Sequence, residues 1–272
     1  MLNVTFPGVW CMSSSGEINI RSRAPGYRFS ISASANLSVT QGTPSLSTPG
    51  AEGDWEMINT ITPVMTQGAR SWIRDLPMQL QQAGIPASFA FSMECYRAPV
   101  AMAARYWDGA PVDLPVPSTQ MHFGSRVRAY LKQMYKECAD QLAAAGLSIV
   151  LQFGETQWWY FPNDSGMPFY DDATKADFVA RFGGPMHRFL ANTDNPADDQ
   201  QTADFLRDRI WEYCSEVIDY VRRYHPSAVF ECLWPLDANQ GKPAPNAGFR
   251  RLNMHVNLPE QWKTSSYGVK YF

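Results

Sequence analysis

Glu155 stands directly after a short apolar run, and the aromatic residues Trp158, Trp159, Tyr160 and Phe161 follow it closely. Hydrolysis of a glycosidic bond uses a carboxyl group to give or take a proton, and flat aromatic faces hold sugar rings. An apolar aromatic surround raises a carboxyl pKa, as an acid needs. Residues 151–161 therefore carry both kinds of part. The plainer alternative is an Arg–Glu155 ion pair beneath aromatics that pack a lid.

Two further acids end strand-like runs: Glu94 in FSMECY and Glu231 in FECLWPLD. Retaining glycosidases set two carboxyls about 5–5.5 Å apart, and inverting ones set them wider. Glu155 with Glu231 or Glu94 is the expected catalytic pair. Strand alternation gives Glu231 two orientations. It faces the site, or it points outward to the helices and leaves Trp234 and Asp237 as the site residues. The expected substrate contacts are Trp158, Trp159, Tyr160, Trp234, Asp237 and Asn257. Asn253 and Asn257 belong to a polar stretch, 251–259, that suits a cleft wall or an ordinary loop.

Other chemistries find less support. The loop 163–172 holds turn residues and acids, but its spacing misses the EF-hand pattern. Helix capping by Asp171 or Asp172 explains those acids more simply. His122, His187, His225 and His255 show no metal-ligand spacing, and His225 before Pro226 reads as a helix end. Five scattered cysteines form no CxxC pair, which argues against a zinc site or a disulfide framework. GxSxG, GxGxxG and P-loop patterns are absent. No metal or cofactor is expected.

These side chains need elements to hold them. Helices are expected over 66–83, with Pro77 kinking or splitting the first, and over 126–145, 173–182 and 203–224. Val127, Leu131, Met134, Cys138 and Leu142 make one apolar stripe. Leu206, Ile210, Tyr213, Val217, Val221 and Tyr224 make another. Strands are expected over 87–95, 147–153 and 228–233, with 147–153 buried on both faces. Residues 266–272 begin a further strand. The rhythm is that of parallel βαβ units, with long loops after the strands. That favours a (β/α)8 TIM-barrel-like fold over a doubly wound sheet. About four of eight strands are visible. Either others lie nearer the N-terminus, or the barrel is incomplete in this chain. Residues 1–54 form a separate β-rich segment and linker, with period-2 runs at 17–20 and 27–32 and a loop at 41–53. The barrel domain is assigned to 55–272.

The totals agree with one large folded domain. Of 272 residues, 45% are hydrophobic and 18% charged, so a sizeable core forms. The net charge of −3 with no basic run argues against nucleic acid. No apolar run reaches the roughly 18 residues of a membrane span, and the N-terminus lacks a signal-peptide pattern.

Residues 151–174, LQFGETQWWYFPNDSGMPFYDDAT, with FSMECYRAP before them and FECLWPLDANQ and LNMHVNLPEQW after, carry a resemblance. Over residues 55–272 the chain resembles the glycoside-hydrolase-like TIM-barrel domain of phage tail proteins of the non-contractile tail sheath type. The resemblance implies a virion tail location and a structural or receptor-facing role. Its implied partners are other tail proteins, further copies of the chain, and carbohydrate such as host-surface glycan. Fold does not fix function, so it implies no activity. An active glycoside hydrolase and a carbohydrate-binding module without chemistry are the competing readings.

Overall fold

The computed structural model describes residues 9–14, 17–22, 64–65, 67–96, 98–113, 118–158, 166–234, 239, 249–263 and 270–271. The chain divides into two units, Met1–Thr48 and Pro49–Phe272. In the first, β1 (Val9–Ser14) and β2 (Glu17–Ser22) pair antiparallel, with Ser14 opposite Glu17. The expected runs at 27–32 and 41–53 lie outside the described residues.

The second unit is an α/β fold. Its elements are α1 (Gln67–Gln82), β3 (Phe89–Phe91), β4 (Glu94–Tyr96), β5 (Ser118–Gln120), α2 (Ser125–Ala144) and β6 (Val150–Phe153), followed by α3 (Asp172–Phe182), α4 (Gln200–Arg222), β7 (Val229–Cys232), α5 (Arg251–Val256), α6 (Glu260–Lys263) and β8 (Lys270–Tyr271). The main sheet has the order β3-β6-β7-β8, and every pair is parallel. Space order follows chain order, so the described strands show no switch point of the doubly wound kind. They form a row of four parallel strands in chain order, as a singly wound barrel requires of successive units. The described strands do not close it.

Periodicity explains the layers. Leu151, Phe153, Phe230 and Cys232 alternate onto the buried face of β6 and β7, while Val150, Gln152, Val229 and Glu231 take the other face. Thus β6 is not buried on both faces as expected; among the described residues, one of its faces stays half open. The buried face meets the stripe Val127, Leu131, Tyr135, Cys138 and Leu142 of α2, and Leu206, Ile210, Tyr213, Val217 and Val221 of α4. Each Val, Leu or Ile among them contributes about 1.5–3 kcal/mol on burial. Tyr224 follows the end of α4 and is exposed, so it does not extend that stripe. Tyr135 anchors the seam. Its ring meets Phe91, Phe153 and Phe230, and its hydroxyl donates to Gln152 O at 3.1 Å.

Helices α2 and α4 lie side by side and parallel. Arg128 pairs with Glu212, Lys132 with Glu216, Gln133 with Tyr220 and Asp140 with His225, at separations of 84–87 residues. A constant offset is the mark of two helices running in one direction. These half-exposed pairs add about 0–1 kcal/mol each, so the apolar stripes dominate.

Several expectations need correction. Helix α1 is not split at Pro77, which is buried one turn after Ile73. The expected strand 87–95 is two elements, because β4 leaves the main sheet and pairs antiparallel with β5, Glu94 opposite Gln120. Residues 251–256 are helical, not a cleft loop, and bury Leu252, Asn253 and Val256. The expected cap, by contrast, is present: Asp171 precedes α3, and its carboxylate accepts from Thr174 N–H at 2.8 Å.

Candidate functional site

The connections that enter the main strands are short: 83–88, 145–149 and 223–228. Those that leave them are long: 92–124, 154–171 and 233–250. Long loops at the C-terminal ends of parallel strands are where α/β folds place sites. Glu94 and Glu155 both lie at that end. Glu94 follows β3 and opens β4; Glu155 follows β6, the neighbour of β3. Gly154 N–H donates to Phe91 O at 3.0 Å and draws the two departing chains together. A Cβ on Gly154 would sit 3.2 Å from Ala90 Cβ, so a glycine suits this approach. Partial burial raises the Glu94 pKa, and the negative charge of Glu155 raises it further.

Glu155 has φ of 52°, and among the described residues it is the non-glycine with positive φ. For an L residue that conformation is strained. The residues after it are held from three sides. Gln157 N–H donates to Glu155 O at 3.0 Å. The Gln157 backbone carbonyl accepts from Gln120 Nε2 at 3.0 Å, and its side-chain oxygen accepts from Asn239 Nδ2 at 2.6 Å. Asn257 accepts from Trp158 N–H at 2.7 Å and donates to Trp158 O at 3.1 Å and Asn239 Oδ1 at 2.9 Å. All four carboxamide residues are buried. Beside Glu155, the hydroxyl of Thr156 is buried and makes no hydrogen bond to a described residue.

The structure brings together Glu94 and Glu155 of the expected acids. Glu231 lies opposite Gln152, three residues before Glu155 in the register, and on the face away from the helices. Its carboxylate accepts from Ser88 Oγ at 3.2 Å and Gln152 Nε2 at 3.3 Å. The outward orientation toward the helices is therefore corrected: Phe230 and Cys232 occupy that face.

The aromatic expectation changes more. Trp158 offers no face to a ligand, because it is 0% exposed. Its ring packs on Phe123 and Phe169, and its indole N–H donates to Leu206 O at 3.1 Å. Asn257, expected to meet sugar hydroxyls, spends its carboxamide on Trp158 and Asn239. Trp234 is half-buried, with its indole N–H on Asn257 O at 2.9 Å. Trp159, Tyr160 and Asp237 lie outside the described residues. Gln120, Gln157 and Asn239 went unnoticed in the sequence, since a buried carboxamide has no periodic signature.

His122 is buried and takes one tautomer. Nδ1 accepts from Gly124 N–H at 2.8 Å, so the ring donates through Nε2 to Ala101 O at 3.0 Å. Its 3.9 Å approach to Asp171 is thus not an ion pair of the neutral ring. Among the described residues, no group of three His, Cys, Asp or Glu side chains is placed to hold a metal, and no helix is long and apolar enough to cross a membrane. Cys138, Cys214 and Cys232 are free, buried thiols, and burial pushes Cys138 up to about 12.

One protein family matches most of this chain. It is described as the non-contractile tail sheath protein TIM barrel, and it matches residues 47–267. Comparison with curated proteins gave no match.

Proposed function

The chain belongs to the non-contractile tail sheath protein TIM-barrel family, and from that premise we propose that it is a structural component of a phage-type virion tail, assembled with copies of itself and with other tail proteins. The match across 47–267 carries this reading. The test is reconstitution. Purified protein mixed with tail tubes should coat them or form rings, seen by electron microscopy and by light scattering of the eluted species. A strict monomer that never joins a tube would sink the structural reading.

A second reading is favoured by Glu94 and Glu155. They stand at the C-terminal ends of adjacent parallel strands, and one of them has a raised pKa. A glycoside-hydrolase ancestry would leave such a pair, and with it contact to host-surface glycan. An active hydrolase would use Glu94 and Glu155 as its two carboxyl groups, with the raised pKa of Glu94 favouring it for the acid role. This differs from a pair built on Glu231, which is engaged by Ser88 and Gln152. Screening wild type and Glu155→Gln against bacterial surface polysaccharides tests it. Binding or turnover that Glu155→Gln abolishes supports carbohydrate contact. An unaltered response removes Glu155 from it.

A further inference from the structure

We infer that Gln120, Gln157, Asn239 and Asn257 are positioning residues: their buried carboxamides hold Glu155 in a left-handed backbone conformation that it would not otherwise adopt, beside Glu94. This inference rests on the carbohydrate-contact reading only for the use of the carboxylate; the holding itself stands on geometry.

Glu155 and Thr156 lie between two fixed points. On one side Gly154 is tied to Phe91 O. On the other, residues 157 and 158 receive or donate five hydrogen bonds to side chains of Gln120, Asn239 and Asn257 and to Leu206 O. These partners come from β5, from residue 239, from the end of α5 and from α4, so no single element can relax and carry the loop with it. A chain pinned this way leaves Glu155 little freedom to leave φ of 52°. Strain of this kind persists only where its surroundings over-determine it. A glycine at 155 would meet the same demand without cost. The hydroxyl of buried Thr156, without a partner among the described residues, shows that the loop is not set for its own best hydrogen bonding.

The experiment separates strain from charge. Glu155→Gly removes both, and Glu155→Gln removes only the charge. Glu155→Gly should melt about 2–4 °C above Glu155→Gln. In an Asn239→Ala background the gap should shrink, because the loosened loop no longer forces residue 155. Asn257→Ala should act alike, but it risks the fold, so Asn239→Ala is the main variant. A carboxyl-labelled NMR titration adds a second readout: Glu94 should titrate lower in Glu155→Gln, and lower in Asn239→Ala as Glu155 drifts away. Glu155→Gly melting no higher than Glu155→Gln overturns the inference. So does a gap that Asn239→Ala leaves unchanged, or a Glu94 titration that Asn239→Ala does not move. If the gap behaves as expected and no polysaccharide binds, the carbohydrate reading alone falls.

Discussion

Asn257 pairs with the backbone of Trp158 as a neighbouring strand would, taking its N–H at 2.7 Å and giving to its carbonyl at 3.1 Å. Trp158 lies beyond β6, which ends at Phe153, and among the described residues no strand pairs with it. A side-chain carboxamide has the donor and acceptor of a peptide group, so it can stand in for one. Asn257→Ala leaves both Trp158 groups buried without partners, and each costs about 1–3 kcal/mol. We expect a loss of about 3 kcal/mol in urea unfolding. A loss too small to measure would mean that the loop finds other partners.

Glu94 sets a pH dependence with a definite sign. Its folded pKa is raised, first by desolvation and then by Glu155. The folded state therefore favours the protonated form. This contribution is fully present below the unfolded value and is lost as pH rises through the folded one. Glu94→Gln keeps the neutral form at every pH. Its stability relative to wild type should rise from acid toward neutral pH and then level off. Chemical unfolding at several pH values checks this, and a difference that shrinks with rising pH would reverse the sign.

Much of the fold is legible in the sequence because long apolar stripes have one reading. The stripe from Leu206 to Val221 needs no tertiary knowledge, and neither does that from Val127 to Leu142. The break between β3 and β4 is not legible. No glycine or proline marks it; Ser92 makes it by accepting from Glu94 N–H at 3.1 Å, while Met93 turns wholly inward. The candidate site is half legible: Glu155 stands out as a candidate by its place after an apolar strand. Its aromatic neighbour misled, because a tryptophan beside an acid reads alike whether it stacks on a ligand or fills a core. What decides is Leu206 O, a partner 48 residues away.

Trp158 therefore yields a prediction that separates those two roles. Trp158→Phe removes the indole bond to Leu206 and part of the volume between Phe123 and Phe169. The expected loss is about 2 kcal/mol of stability. A binding-face tryptophan would instead show unchanged unfolding with weakened ligand affinity. Denaturant midpoints of Trp158→Phe, set beside Trp234→Phe, give the comparison. An unchanged midpoint for Trp158→Phe would contradict its role in the core.

Arg209 is the remaining test of how the helical layer is held. It is buried at 2% exposure, bonded to Asp177, to Glu212 at 2.8 Å and to Phe123 O at 3.1 Å. It thus joins α3 and α4 to the chain just before α2. Desolvation lowers its pKa, and the neighbouring carboxylates oppose that. Arg209→Met strips Asp177 and Glu212 of a shared cation, but both are partly exposed and Glu212 keeps Arg128 and Arg181. The cost should fall below the 3–5 kcal/mol typical of a fully buried pair, at about 2 kcal/mol. Adding Asp177→Asn to Arg209→Met should recover part of it, because the orphaned charge is removed. If the double variant is as unstable as the sum of the two single ones, the pair is not coupled, and Arg209 acts only through Phe123 O and its packing on Phe205.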